Sequence, residues 1–572
     1  MILKLAKQCL CPSILAVIGV LSIGREAWAT SQSWDGGASS VYWTNNINWS
    51  SNSAYPITDD TATFNTTGAN YTNVSVIGLS AIKYITFDTS SVGSYTIGLP
   101  PVNGETLVMR NDGNFRNTVS ANKYQYFNAA IQLGPDIAGG NYYFQNDSPT
   151  APMILNGMIS GSATSGTAGD KAINVNGIGS VRFLNNVTRG NANNLDIYIY
   201  NTGTTTLSGT NLLRILRMNG GSGSVLDLGS GVTVFTNSNA SSLGGENFSS
   251  TYGGTINGTN AAFYLTARPG EDNSDNYVAD VNSTLTVNCR LRGWAGFELY
   301  TGVGVAGTFA LNGANDFGGN VFMNASGTIS ANKFGNRGST DSGLGAGYRV
   351  RFSSGYLSGP TLKYTGVGET SDRMYEFGSN GKIEQAGTGN LNLSWPFFIN
   401  TTSAITIALK GSTAGTGEIS GALSNGNSSA VSILKEGTGT WTLSAANLFS
   451  GTVTVNGGVL RLTSSNAYAS VTTVNGGALA LSGPSGCIFN TGGITLGTGG
   501  ALSISNSASA NQPNRVRDAA ALTLNGGAVD FTHPADGASY AETLGAVSIT
   551  AGANVISASR AAAGQTSALT LT

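Results

Sequence analysis

Apolar and polar residues alternate in short runs along most of this chain, and one stretch shows the unit most clearly. Leu434 to Leu462 reads LKEGTGTWTLSAANLFSGTVTVNGGVLRL. Trp441 and Leu443 alternate with Thr440 and Thr442, which predicts a first strand. Asn447 to Gly451 break it, and Val453, Val455, Val459 and Leu462 carry two more strands around the turn at Asn456, Gly457 and Gly458. The same template returns elsewhere: a Gly-Thr pair, a Leu four residues after the Gly, and an Asn eight after it. It occurs at Gly203, Thr204, Leu207, Asn211; at Gly307, Thr308, Leu311, Asn315; and at Gly439, Thr440, Leu443, Asn447. A second series sets Gly-Gly turns at Gly457, Gly476, Gly499 and Gly526, spaced by 19, 23 and 27 residues. Periods of about 20 to 30 residues belong to solenoids.

Between about 90 and 430 the runs are shorter and less regular. Ser94 to Ile97, Val181 to Leu184, Leu195 to Tyr200, Val225 to Leu228, Phe263 to Leu265, Leu285 to Val287, Phe297 to Tyr300 and Ile405 to Leu409 all alternate. Clusters of Gly, Asn, Ser and Thr lie between them, the residues that turns require. No helix pattern emerges. Arg268 to Asp280, RPGEDNSDNYVAD, reads as a long turn leaving the coil. The expected fold is all-β, a parallel β-helix of roughly 20 to 26 rungs on the order of 100 to 120 Å long. A set of antiparallel β-sandwich domains is the alternative that short strands alone would allow.

Leu434 to Leu462 resembles an autotransporter-associated β-strand repeat. It supplies that pattern's Lys435, Gly437, Gly439, Thr440, Trp441, Thr442, Leu443, Asn447, Phe449, Ser450, Gly451, Val455, Gly458 and Leu460. GEISGALSNG (Gly417 to Gly426), ETLGAVSITAGAN (Glu542 to Asn554) and the opening WDGG with its later NW and DTATF are similar to segments of exported bacterial proteins carrying such repeats. The close match covers about 29 residues. The resemblance implies a right-handed parallel β-helix, displayed on or released from a Gram-negative-type cell, with no catalytic residues and no cofactor.

Composition narrows the function classes. With 80 Gly and only 10% charged residues in 572, helical domains have too few Glu, Lys and Arg for their outer faces, while 40% hydrophobic residues suffice for a core. A formal net charge of −2 gives no electrostatic footing for nucleic acid. Of four cysteines, Cys9 and Cys11 fall in a leader-like segment, and Cys289 and Cys487 are too far apart in sequence to suggest a disulfide framework or a zinc motif. They read as small buried hydrophobes. Residues 1–29 read as an export signal: Lys4 and Lys7, the apolar run Ile14 to Ile23, then the small-x-small site Ala27-Trp28-Ala29. No integral membrane segment is expected in the mature chain, since no later apolar run reaches the ~20 residues of a spanning helix. The organisation expected is a signal (1–29), a cap with first rungs (30–90), an irregular solenoid (91–430) and a regular one (431–572). Because the sequence stops within a strand at Leu569 to Thr572, it reads as a piece of a longer chain or as a released product.

Candidate chemistry is sparse. Trp34, Trp43 and Trp49, with Tyr42, Tyr55, Phe64 and Tyr71, make an aromatic-rich opening. It reads either as a platform for sugar rings, since a flat π-face covers the apolar face of a pyranose, or, preferred, as a cap closing the unpaired edge of the first rung. His533 beside Pro534 reads as an exposed turn residue, so a Ser-His-Asp or Cys-His site would rest on it alone. Glu271, Asp272 and Asp275, with Asp280, resemble a Ca²⁺ loop that lacks its central Gly and terminal Glu; a solvated acidic turn is preferred. Asp59 and Asp60 are expected to bond the cap's own backbone. Gly220, Gly221 and Gly223 fit neither a phosphate loop nor a calcium roll. The function expected is a non-enzymatic exported spacer or adhesin meeting extracellular glycans or cell-surface components. The alternative is a glycan-binding β-helix or one acting as a polysaccharide lyase or hydrolase. Oligomeric state is left open.

Overall fold

The computed structural model describes residues 31–572 apart from 68–70, 135–138, 162–168, 222, 236–241, 245–253, 259–261, 266–272, 278–283, 301–306, 325, 354–357 and 412–414, so the leader-like segment 1–29 lies outside the described residues. Each alternating run named above contains a strand. The strands stack as coils, and a full coil visits three walls in turn. Thr204–Leu207 lies in the first wall, Thr210–Leu213 in the third, Ile215–Met218 in the second, and Val225–Asp227 returns to the first one coil later. The first wall holds twenty strands, from Asn73–Val74 to Val547–Ala551. The second runs from Ser31–Ser33 to Phe398–Ile399. Beyond it that side thins to single bridges such as Asn447 with Asn466 and Ile488 with Val516. The third wall is built by Thr210–Leu213 to Arg290–Gly293 and again by Glu369–Ser371 to Val555–Ala558.

Pairing is parallel between named strands, as for Val453 with Ile433 before it and Thr472 after it. Among the described residues antiparallel pairing occurs only in isolated bridges, such as Asn315 with Ser342. Antiparallel sandwiches are thereby ruled out. Twenty strands at about 4.8 Å make a stack of about 90 Å. That is shorter than expected, because several coils lengthen at their corners, 332–348 among them.

Alternation puts one residue in two inside. Ile85, Phe115, Phe144, Val175, Ile199 and Met218 are successive register partners, all buried, and they stack along the axis as one continuous core. Stacking of like on like works because each inward side chain meets its equivalent one coil away: the Phe115 and Phe144 rings lie edge to face at 5.8 Å.

The Asn of the recurring template fastens one coil to the one before. Asn211, Asn315 and Asn447 are each buried. Each accepts through Oδ1 a backbone N–H lying 24 residues earlier: Val187 at 3.1 Å, Leu291 at 2.8 Å and Leu423 at 2.9 Å. Asn447 also donates to Asn466 Oδ1 at 2.8 Å, and Asn466 in turn donates to Ser464 O at 2.7 Å. A short amide suits a corner, because it satisfies backbone groups that the bend removes from the sheet ladder. Asn447→Leu strands the Leu423 N–H and the Asn466 carbonyl in a dry interior. We expect a loss of about 3 kcal/mol, read in denaturant melts, with faster amide exchange at Leu423 and Asn466. Unchanged exchange at both would contradict the role.

The opening segment closes one end. Trp34, Trp43 and Trp49 are fully buried. Their rings pack on one another at 4.8 to 5.2 Å, and each lies 5.9 Å from Phe64, the first inward ring of the stack. Their indole N–H groups donate to Tyr71 O, Pro56 O and Trp43 O. The three faces that a sugar would have to meet therefore meet each other, which corrects the glycan-platform reading. Asp60 accepts the N–H of Ile57 at 3.0 Å, a bond to the cap's own backbone.

Candidate functional site

Among the described residues no three of His, Cys, Asp and Glu lie close enough to hold a metal ion. Glu271 and Asp272 fall outside the described residues. Asp275 lies on the strand Asn273–Tyr277, paired with Ser242–Gly244 and with Gly296–Tyr300, so part of the supposed long turn is a rung. His533 is buried and not exposed: its ring lies 4.7 Å from Tyr540 and 6.0 Å from Phe531, and neither nitrogen has a partner. Alternation from Phe531 carries it inward, and that outweighs the turn signal of Pro534. Cys289 and Cys487 are buried free thiols, and burial pushes the Cys289 thiol up to about 12.

Buried cations instead fasten the corners to backbone carbonyls. Lys435, fully buried, donates to Glu436 O, Gly437 O and Gly457 O at 2.8, 3.0 and 3.1 Å. Burial pushes its ammonium down to about 8. This explains the Lys-x-Gly part of the repeat: Gly437 turns the chain at φ 71° so that carbonyls point at the ammonium. At Gly458 (φ 64°) a Cβ would lie 2.7 Å from Lys435 Nζ.

Arg373 does the same for the corner loop 332–348. It donates to Phe334 O at 2.9 Å, Gly335 O at 3.2 Å and Ser342 Oγ at 3.1 Å, and also to the carbonyls of Gly345 and Gly347. Beside that loop lies a cavity of about 500 Å³ lined by Asn312, Asn332, Lys333, Asp341, Tyr364 and Glu369 among others. Its ionic groups are matched. Lys333 meets Asp341 at 2.6 Å, and Glu369 accepts the N–H groups of Phe334 and Gly335.

Arg515 holds a third corner through Gly486 O, Gly483 O and Ala510 O at 2.6 to 2.9 Å. Below it Glu542, nearly fully buried, accepts the N–H groups of Val516 at 2.9 Å and Arg515 at 3.2 Å. Burial pushes the Glu542 carboxyl from 4.5 up to about 7. Because the folded value lies above the unfolded one, its contribution to stability is complete below about pH 4.5 and is lost as pH rises through 7, on the order of 3 kcal/mol. We expect Glu542→Gln to flatten the pH dependence of melting of the last rungs across that window. An unaltered profile would place the titration elsewhere.

The second wall carries a different surface on its outer side. Tyr84, Asn114, Tyr143, Asn174, Tyr198 and Arg217 are successive register partners, one per coil. The tyrosines are part-exposed, and Tyr200 beside Tyr198 is 46% exposed, with ring centroids 6.4 Å apart. Sequence reading missed this column because coil lengths vary, so residues that share it have no fixed spacing. The usable signal is local: each tyrosine immediately precedes an inward Ile or Phe.

Comparison with known proteins agrees with this architecture. The family described as Passenger-associated-transport-repeat matches residues 433–462 and 457–481. The chain is 30% identical over 105 residues to the Adhesin BmaC autotransporter of Brucella suis biovar 1 (strain 1330), an alignment that spans 18% of this chain and 3% of that protein. No solved structure matches the chain. The matched segments are the rungs whose Lys435 cage and Asn447 bridge are described above, set in an unbroken parallel stack, and the chain carries autotransporter-associated β-repeats there.

Proposed function

We propose that the chain is the extended, passenger-like part of an exported protein at a Gram-negative cell surface, acting as a spacer or adhesin without catalysis. The observation that carries this is the first wall: twenty parallel strands over a single core give length and a large outer surface. Similarity to an autotransporter adhesin supports the surface role, and residues 1–29 are proposed as the removed export signal. Epitope tags at exposed turns, for instance beside Gly338 and Gly537, test it in cells expressing the whole gene. Tags cut by protease added to intact cells, with attachment to surfaces falling when 31–572 is deleted, is the expected result. Tags protected until lysis would overturn the reading.

A further inference from the structure

We propose that the outer face of the second wall, over the coils from Tyr84 to Tyr198, is a docking surface for an uncharged, extended β-1,4-linked polysaccharide lying along the solenoid axis. The inference deepens the surface role above and rests on it for access to the ligand. Three observations support it.

The first is spacing. Tyr84, Tyr143 and Tyr198 occupy every second coil of one register column, with Asn114 and Asn174 between them. Two coils are about 10 Å. In an extended β-1,4 chain successive pyranoses alternate in orientation, so equivalent ring faces recur once per disaccharide, close to the same interval. A part-exposed phenol ring offers an apolar edge and face for the C–H side of such a sugar.

The second is rigidity. The ring positions are fixed by strands whose neighbouring residues, Ile85, Phe144 and Ile199, are locked in the core. A preformed row of rings costs little ordering on binding.

The third is charge. Arg116 pairs with Asp147 at 2.7 Å, and Arg214 pairs with Asp170 at 2.6 Å and with Asp196. The charges of Arg116 and Arg214 are thus answered within the face, which leaves no basic track for an acidic chain between the two end rings. The row has defined ends. Lys83 Nζ lies 5.5 Å from the Tyr84 ring and the Arg217 guanidinium 5.3 Å from the Tyr198 ring.

The test uses purified 31–572 with chitin and cellulose suspensions, their soluble hexaoses and disaccharides, and polygalacturonate. We expect the chain to co-sediment with at least one neutral polymer, to bind its hexaose at least tenfold tighter than its disaccharide, and to ignore polygalacturonate. Tyr84→Ala/Tyr143→Ala/Tyr198→Ala lowers hexaose affinity at least tenfold, whereas the triple Phe variant keeps most of it, and Tyr143→Ala alone gives a smaller loss should the triple Ala chain fold poorly. Absence of binding to both neutral polymers, equal binding by the Tyr143→Ala and unaltered chains, or preference for polygalacturonate would overturn the proposal. Protease access on intact cells is read separately. Exposed tags without polymer binding defeat only this inference, and polymer binding by the pure chain with protected tags defeats only the surface role.

Discussion

Replacing Arg373 with Met releases the corner loop 332–348. The guanidinium is fully buried and donates to four carbonyls and the Ser342 hydroxyl. Met fills much of the same volume and satisfies none of those acceptors. Several dry, unpaired carbonyls cost about 4 kcal/mol together, enough to open the loop locally while distant rungs stay intact. Arg337 would then leave the Trp395 ring, over which its guanidinium lies at 4.1 Å, and lose Asp372. Limited trypsin digestion reads the result, because Lys333 and Arg337 sit in the loop. Cutting there should rise at least tenfold in Arg373→Met. Arg373→Lys should restore little, since one ammonium with three donors cannot span five acceptors. Resistance equal to the unaltered chain would mean that the loop is held by other contacts.

Trp441→Ala removes the largest inward side chain of the matched repeat. The indole is fully buried and donates to Lys410 O at 2.8 Å. It packs against the coil before at Gly417, where an added Cβ would lie 2.4 Å from the ring. Glycine at 417 thus provides the space that tryptophan at 441 fills. Truncation leaves a cavity and an unpaired carbonyl, a loss of about 4 kcal/mol. In a stack where each coil touches chiefly its neighbours, the loss stays local. Amide exchange should speed up across Thr416–Ile419, Thr440–Leu443 and Val459–Leu462 and hold in Asn194–Ile199. Uniform loss of protection along the whole chain would instead mean that the solenoid unfolds as one unit.

These two residues differ in how far sequence discloses them. Trp441 sits in an alternating run, and period-2 patterning is local, so its strand and inward direction are legible. The Asn at the eighth position of the template is legible too, as a recurrence at fixed offset, although its hydrogen bond to the preceding coil is not. Arg373 carries no signal. It follows Ser371 and Asp372 in what reads as a polar turn, and its acceptors lie 26 to 39 residues away. His533 is misread for a related reason: the Pro beside it suggests a turn, while the inward alternation through Phe531 decides its burial. The tryptophans near the start are legible as a cluster, yet cluster composition alone cannot say whether rings face solvent or one another. The tyrosine column needs the register, and coils of unequal length hide it. Sequence therefore discloses the repeating unit more readily than the surface it builds.

The parallel in-register stack underlies every residue role above, and inter-coil distances test it directly. Thr308, Thr454 and Thr523 lie in one register column of the first wall, through Thr328, Thr361, Lys382, Ala408, Leu434, Thr473 and Thr495. Spin labels at Thr308 and Thr454, six coils apart, should give a narrow distance near 29 Å, and labels at Thr308 and Thr523, nine coils apart, one near 43 Å, each broadened by about the label's own reach. A distance that does not grow with the number of coils, or broad distributions from both pairs, would contradict the solenoid.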